Sequence, residues 1–169
     1  MSKFNTKMIS ILGLLLALEI ILSRFLSLSA WNIKIGFSFI PVAVAATLFG
    51  PFSAGIVAAL GDFLGAVLFP IGPYFPGFTL TAFLTGLTFG YFLYKRQTPV
   101  RILIAVLINQ LVLGLLVNTL WISILYGSPF MPLLETRLVQ CAILGPVQFI
   151  CIELAVRTIC RYGKWVESA

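Results

Sequence analysis

Six apolar runs, separated by short segments that contain proline, glycine and polar residues, dominate the pattern of this chain. A helix that crosses a membrane takes about 20 mostly apolar residues. The pattern predicts helices at about 7–24, 37–49, 53–69, 78–95, 101–126 and 134–161. The second run is short for a full crossing, so a five-span or re-entrant arrangement remains the alternative.

The composition indicates whether this protein lies in water or in a membrane. Hydrophobic residues make up 60% and charged residues 9% of the 169 positions, and the mean hydropathy is +1.10. This composition excludes a water-soluble globular protein. Because six spans with short connectors use nearly the whole chain, we predict an all-α integral membrane protein with a single membrane domain, 1–169. The basic leader has no cleavage pattern after it, so the first span is expected to be retained.

The positions of the eleven Lys and Arg residues predict the orientation in the membrane. Six spans place both termini on one side, and most of the cations fall on that side: Lys3, Lys7, Lys95, Arg96, Arg101, Arg157, Arg161 and Lys164. Arg24, Lys34 and Arg137 fall on the other side. Since positively charged segments stay in the cytoplasm, we predict cytoplasmic N and C termini (N-in/C-in).

The residue types argue against enzymatic chemistry. The sequence contains no histidine, and Cys141, Cys151 and Cys160 lack the close spacing of a metal site. It also has no Gly-Lys-Ser/Thr phosphate loop. Catalysis would have to use carboxylates alone, so we expect a protein that is not an enzyme and needs no metal or cofactor.

Asp62 lies in the middle of the third apolar run, within Gly61-Asp62-Phe63-Leu64-Gly65. A carboxylate at that depth is costly and marks a polar cavity or a transport pathway. It either accepts hydrogen bonds from an amidine-like ring edge of a ligand or pairs with a cation inside the bundle, and the second interpretation is favoured. Glu19 presents the same choice, and an ion pair to another helix is favoured there too.

Cationic and aromatic residues share the predicted outer face. Arg24 and Arg137 are bracketed by apolar residues, so each either binds an anionic ligand or forms an internal ion pair. The candidate aromatic residues of the site are Trp31, Tyr74, Phe75 and Trp121. Each of them alone is typical of an interfacial aromatic belt, but together with the arginines they indicate a pocket for a planar, acidic ligand.

Polar side chains and one loop complete the candidate site. Asn118 and Gln140 are expected to donate hydrogen bonds to the ligand, with interhelical hydrogen bonds as the alternative. The spacing of Arg137, Gln140 and Gln148 is compatible with one helical face. The stiff loop 70–77, which carries adjacent aromatic residues, is expected to close over the pocket as a lid.

Two small residues, Gly13 and Ala17, form a step of four residues on the first span. This spacing lets helix backbones approach closely, either inside the bundle or against a partner protein in the membrane.

The first half of the chain resembles a known family. The motifs that carry the resemblance are Arg24-Phe25-Leu26-Ser27, Ile35-Gly36-Phe37-Ser38-Phe39-Ile40-Pro41-Val42-Ala43, Phe49-Gly50-Pro51, Gly61-Asp62 and Pro70-x-Gly72-Pro73-Tyr74-Phe75-Pro76-Gly77-Phe78-Thr79-Leu80. They resemble the substrate-binding (S) component of energy-coupling-factor (ECF) vitamin transporters, in particular the folate-specific branch. The Tyr-Phe-Pro-Gly-Phe-Thr segment is the most specific of them.

The resemblance implies a high-affinity folate binder in the bacterial cytoplasmic membrane. Such a component works with a transmembrane coupling subunit and two cytoplasmic ATPase subunits, and it delivers the vitamin by reorienting in the membrane. The resemblance also implies that Gly13 and Ala17 dock onto the coupling subunit. The alternatives are an S component for another vitamin, such as pantothenate, and an autonomous carrier of small molecules or ions.

Overall fold

The computed structural model describes residues 6–30 and 33–166, with side chains described for 6–27 and 36–159. Its helices are α1 (Thr6–Arg24), α2 (Phe39–Phe49), α3 (Pro51–Leu68), α4 (Pro76–Leu93), α5 (Pro99–Leu107), α6 (Asn118–Tyr126) and α7 (Phe130–Val166). A π-helical segment, Ile108–Val117, joins α5 to α6 in one continuous helical run. All six helical runs predicted from the apolar pattern are therefore confirmed.

Within the part of the chain that the structure describes, four helical runs are long and apolar enough to cross a membrane: Thr6–Arg24, Pro51–Leu68, Pro99–Tyr126 and Phe130–Ile159. Helix α2 is shorter, with 11 residues, and α4 has 18 residues, several of them threonine. This architecture confirms an all-α bundle of the membrane class. The N-in/C-in orientation stays a prediction.

The short helix α2 lies at the centre of the bundle, where it contacts α1, α3, α4 and α7. Its alanines Ala43, Ala45 and Ala46 are fully buried. Because most of α2 packs against other helices, it does not need the length of a lipid-exposed span.

Helices α3 and α4 make the most extensive contact in the bundle. Gly86 of α4 lies against the α3 backbone, and a Cβ added there would come within 2.6 Å of the Gly55 Cα. Glycine at this position lets the two backbones approach closely. The contact sets the spacing between the helices that carry Asp62 and Thr79.

A one-residue connection joins α2 to α3. Gly50 has a φ of 85°, a conformation that disfavours side chains, and its N–H donates a 3.1 Å hydrogen bond to the Ala46 carbonyl. Pro51 then occupies the first turn of α3, where its missing N–H costs nothing. The Phe-Gly-Pro motif thus produces a sharp reversal of the chain.

A two-stranded antiparallel hairpin joins α1 to α2, formed by β1 (Leu28–Ala30) and β2 (Ile33–Ile35). The sequence predicted only a loop here, because three-residue strands are too short to give a recognisable alternation. Trp31, a predicted site residue, lies outside the described residues.

Candidate functional site

A cavity of about 410 Å³ lies at the end of the bundle where α1, α3 and α6 end and where α2, α4 and α7 begin. We call it the first cavity. Its volume is within the range of small-molecule sites, roughly 300–1,000 Å³. Its lining includes Glu19, Arg24, Phe39, Asp62, Ile71, Gly72, Pro73, Tyr74, Phe75, Phe78, Thr81, Asn118, Tyr126 and Arg137. Six of the nine predicted substrate-binding residues are in this set.

Arg24 and Asp62 meet at the wall of the first cavity. The Arg24 Nη2 lies 3.9 Å from the Asp62 Oδ1 and donates a 3.3 Å hydrogen bond to the Asp62 backbone carbonyl. Their side chains are 10% and 24% exposed. The ion pair inside the bundle is therefore confirmed. Since both side chains also line the cavity, the prediction that they contact a ligand stands beside it.

Two glycines of α3 make room for the charged side chains of α1. A Cβ added at Gly65 would lie 2.7 Å from the Arg24 Nε, and one added at Gly61 would lie 2.5 Å from the Glu19 Cδ. Helix α1 therefore packs on α3 with Glu19 and Arg24 held between the backbones. Glycine at both positions permits this crossing.

Glu19 is a cavity-lining residue that the predicted site omitted. Its side chain is 6% exposed and lines the first cavity. The sequence favoured an ion pair to another helix for this carboxylate. The available signal was its position in an apolar helix, five residues before Arg24.

A chain of hydrogen bonds ties the loop before α4 to Asp62. The Thr79 Oγ1 donates a 2.9 Å hydrogen bond to the Asp62 Oδ2, and the Tyr74 hydroxyl lies 3.1 Å from the same Thr79 oxygen. Because a threonine hydroxyl has one hydrogen and a carboxylate only accepts, Tyr74 donates to Thr79. The Tyr74 ring also packs edge-to-face on Phe63, with 5.8 Å between centroids. The loop is thus fixed over the cavity by its tyrosine.

Trp121 lies behind the cavity wall. Its ring centroid is 5.5 Å from that of Phe75, and its Nε1 donates a 3.0 Å hydrogen bond to the Thr81 Oγ1. Phe75 and Thr81 line the first cavity, whereas Trp121 is absent from its described lining. The structure therefore gives Trp121 a supporting position, in which it orients Phe75.

A second cavity, of about 260 Å³, adjoins the first. The two share Ser38, Phe39, Asn118 and Arg137 in their linings. The amides of the second cavity come from Gln110, Asn118, Gln140 and Gln148. The prediction that Arg137, Gln140 and Gln148 share one face of a helix is confirmed, since all three line this cavity.

The π-helical segment supports the wall of the second cavity. The Arg137 Nη1 donates a 3.0 Å hydrogen bond to the Gly114 carbonyl, and the Cys141 Sγ lies 3.4 Å from the Gln110 carbonyl. The Gln110 Nε2 also donates a 2.7 Å hydrogen bond to the Gln148 Oε1. Helix α7 is thereby attached to the π-helical segment through polar contacts, and π-helical turns often mark functional positions.

The predicted docking residues lie elsewhere. Gly13 and Ala17 are exposed on α1, and a Cβ added at Gly13 would meet no atom within 4 Å. Neither residue lines either cavity. Within the described part of this chain, no other helix therefore packs closely against α1 at Gly13.

Comparison with known proteins places the chain in a family. The family described as "ECF transporter, substrate-specific component" matches residues 7–156. A relative from Clostridium novyi (strain NT), named folate transporter FolT, is 44% identical over 91% of this chain and 85% of its own length. A folate transporter FolT from Leuconostoc mesenteroides is 28% identical over 86% of this chain and 82% of its own.

Solved structures agree with this assignment. A crystal structure of FolT bound with folic acid matches with a TM-score of 0.87 and 38% identity, over 91% of this chain and 95% of that one. The structure of the S component of a bacterial ECF transporter matches with a TM-score of 0.70 and 25% identity, over 94% and 98%. The bundle, the cavity at its end and these matches lead to one conclusion: this chain belongs to the family of substrate-specific components of ECF transporters.

Proposed function

We propose that this chain is the folate-specific S component of an ECF transporter and binds folate in the first cavity. The observation that carries the proposal is the close match of the fold to a FolT solved with folic acid, at a TM-score of 0.87. In this chain that fold encloses about 410 Å³, lined by aromatic rings, two arginines and two carboxylates.

The chemistry of the cavity fits the ligand. Folate combines a flat pterin, a benzoyl ring and a glutamate with two carboxylates. Phe75 and Phe78 offer aromatic faces and edges to the rings. Arg24 and Arg137 are the groups that can bind carboxylates or ring oxygens, and Asp62 can accept hydrogen bonds from ring N–H groups.

The wider assembly is part of the proposal. The chain lies in the bacterial cell membrane as a multi-pass protein with cytoplasmic termini, and its first cavity then faces outwards. It docks on a transmembrane coupling subunit whose two cytoplasmic ATPase subunits hydrolyse ATP, so this chain itself is not an enzyme. The exposed small residues Gly13 and Ala17 of α1 form the docking position.

Equilibrium binding tests the proposal. Folate is titrated into the detergent-purified chain by calorimetry or by tryptophan quenching, with pantothenate and riboflavin as controls. Quenching is informative because Trp121 contacts Phe75 at the cavity wall. Saturable one-to-one binding of folate alone is expected. Preference for another vitamin would favour the alternative S component, and uptake into liposomes without partner subunits would favour an autonomous carrier.

A further inference from the structure

Two neighbouring helical runs depart from regular α-helical geometry where they contact each other. The run α5–α6 contains the π-helical segment Ile108–Val117, and the Asn118 N–H donates to the Leu113 carbonyl, five residues back. Helix α7 contains Pro146 in its interior. Proline has no N–H, so the helical hydrogen bond to the carbonyl four residues earlier is missing there. Both irregular stretches lie near the middle of a run long enough to cross a membrane.

One residue, Gln110, joins the two irregular stretches. Its Nε2 donates a 2.7 Å hydrogen bond to the Gln148 Oε1, and its backbone carbonyl accepts a 3.4 Å contact from the Cys141 Sγ. Cys141 precedes Pro146 and Gln148 follows it. Gln110 therefore contacts α7 on both sides of the proline. Because these contacts connect the two stretches, bending one helix displaces the other.

Both stretches also have weakened local support. Long π-helical segments are uncommon, since most π-helical turns occur singly. The Asn109 side chain is 6% exposed, and neither its Oδ1 nor its Nδ2 has a hydrogen-bond partner among the described residues. A buried amide in that state is unfavourable. On α7, a Cβ added at Gly145, next to the proline, would meet no atom within 4 Å. These helices can therefore bend here with little loss of packing.

The two sides of the bundle differ in how firmly they are held. Gly86 and Gly90 of α4 lie against the α3 backbone and leave no room for a Cβ. On the other side, α6 and α7 are joined by a short turn, in which the Ser123 Oγ donates a 2.7 Å hydrogen bond to the Ser128 carbonyl. We call residues 118–144, which comprise α6, this turn and the part of α7 before the irregular stretch, the hinged unit.

We propose that the π-helical segment and Gly145-Pro146 are two facing hinges, coupled through Gln110, on which the hinged unit swings against α1, α3 and α4. Bending at both hinges moves α6 and the first part of α7 together, because the turn between them is short. The firmly packed pair α3 and α4 serves as the fixed side of this motion.

The swing opens and closes the first cavity. Asn118 and Arg137 of the hinged unit line that cavity, and the other side of the lining comes from α1, α3 and α4. In the structure the unit is closed, since the Trp121 Nε1 donates a 3.0 Å hydrogen bond to the Thr81 Oγ1 of α4. The use of this motion for folate entry rests on the proposed function, whereas the hinges themselves are argued from the helices.

Hydrogen–deuterium exchange of the detergent-purified chain tests the coupling without any ligand. Pro146→Ala restores the missing N–H and stiffens α7. We expect amide exchange in the facing segment 108–117 to slow by about 3- to 10-fold, because bending at the two hinges is coupled. Pro132→Ala is the matched control, since Pro132 lies in the first turn of α7, where proline removes no helical hydrogen bond. It should leave that exchange unchanged.

A second variant tests the role of Gln110. In the Gln110→Leu background, Pro146→Ala should no longer change exchange in segment 108–117, since the side-chain link to Gln148 is gone. An effect of Pro146→Ala confined to α7, or one that persists undiminished in this background, would overturn the coupling. Should Gln110→Leu fail to fold, the effect of Pro146→Ala alone on segment 108–117 still decides the question.

Stopped-flow folate binding tests the use of the hinges. Pro146 lines neither cavity, so Pro146→Ala should leave the equilibrium affinity within about twofold while slowing association and dissociation by the same factor, about 3- to 10-fold. Unchanged rates, or a change in dissociation alone, would overturn the swing. Failure of the wild-type chain to bind folate would instead contradict the proposed function, and the exchange experiment would then decide on the hinges by itself.

Discussion

Thr79 donates a hydrogen bond of 2.9 Å from its Oγ1 to the Oδ2 of Asp62 and so joins helix α4 to the carboxylate of α3. The same oxygen accepts from the Tyr74 hydroxyl at 3.1 Å. One threonine thus connects a charged group of the cavity wall to the loop that lies over it. The Tyr-Phe-Pro-Gly-Phe-Thr segment contains both ends of the Tyr74–Thr79 contact, which gives this motif a structural role.

Replacing Thr79 with valine tests this connection. Thr79→Val removes both hydrogen bonds at nearly constant shape, so Tyr74 is no longer tied to Asp62. We expect folate to dissociate roughly 5- to 30-fold faster, corresponding to about 1–2 kcal/mol, as measured by stopped-flow quenching. Thr88→Val is the matched control, because the Thr88 hydroxyl bonds only the Leu84 carbonyl of its own helix. A dissociation rate equal to that of the control would show that the loop does not hold the ligand.

Arg24 is predicted to be essential for affinity. Arg24→Ala removes the guanidinium beside Asp62 and leaves that carboxylate without its cation. We expect folate affinity to fall by about 10- to 100-fold or more, with the protein still inserted and helical by circular dichroism. Arg157→Ala is the control, because Arg157 is 71% exposed and pairs with Glu153 far along α7. Unchanged calorimetric affinity in Arg24→Ala would remove Arg24 from the site.

The contact between α3 and α4 depends on Gly86. A methyl group at this position would meet backbone atoms of Ala54 and Gly55, which cannot move aside as a flexible side chain would. We expect Gly86→Ala to lower the free energy of unfolding in detergent by about 1–3 kcal/mol. Gly145→Ala is the matched control: a Cβ there meets nothing within 4 Å, so helix propensity should leave stability unchanged or raise it by about 0.5–1 kcal/mol. Equal stabilities of the two variants would contradict the close packing.

Docking and binding should be separable on α1. Gly13→Leu and Ala17→Leu enlarge exposed small residues that line neither cavity. We expect both variants to bind folate normally but to lose most folate uptake in cells that contain the coupling and ATPase subunits, because the partner helix can no longer approach. Ala142→Leu makes a similar change at an exposed position of α7 and should leave uptake intact. Normal uptake by both α1 variants would place the docking surface elsewhere.

The helical architecture follows largely from the sequence. Apolar runs interrupted by Pro51, Pro76 and Pro99 predict helices that begin two residues after each proline, and in the structure the helices begin at the prolines themselves. The π-helical segment and the short hairpin were not predicted. A π-helical turn has no distinct composition, and a three-residue strand is too brief for its pattern to stand out.

The site was predicted less completely than the helices. Charges are rare in apolar helices because burying them is energetically unfavourable, and this made Arg24, Asp62 and Arg137 recognisable in the sequence. All three line the first cavity. Trp121 was assigned to the site, although it lies behind Phe75. A sequence can indicate that two aromatic residues lie at the same end of the bundle, but it does not show which of the two rings lines the cavity.

The sequence by itself determined the membrane environment, the helical runs and the charged residues whose burial in that environment is energetically unfavourable. These properties depend on composition and on local periodicity, which can be read directly from the order of the residues. Only the tertiary structure decided that Asp62 meets Arg24, that Thr79 links Asp62 to Tyr74, and that the amides form a separate cavity beyond Arg137. Such contacts depend on how closely helices approach at glycines such as Gly65, and that distance is set by packing between distant segments.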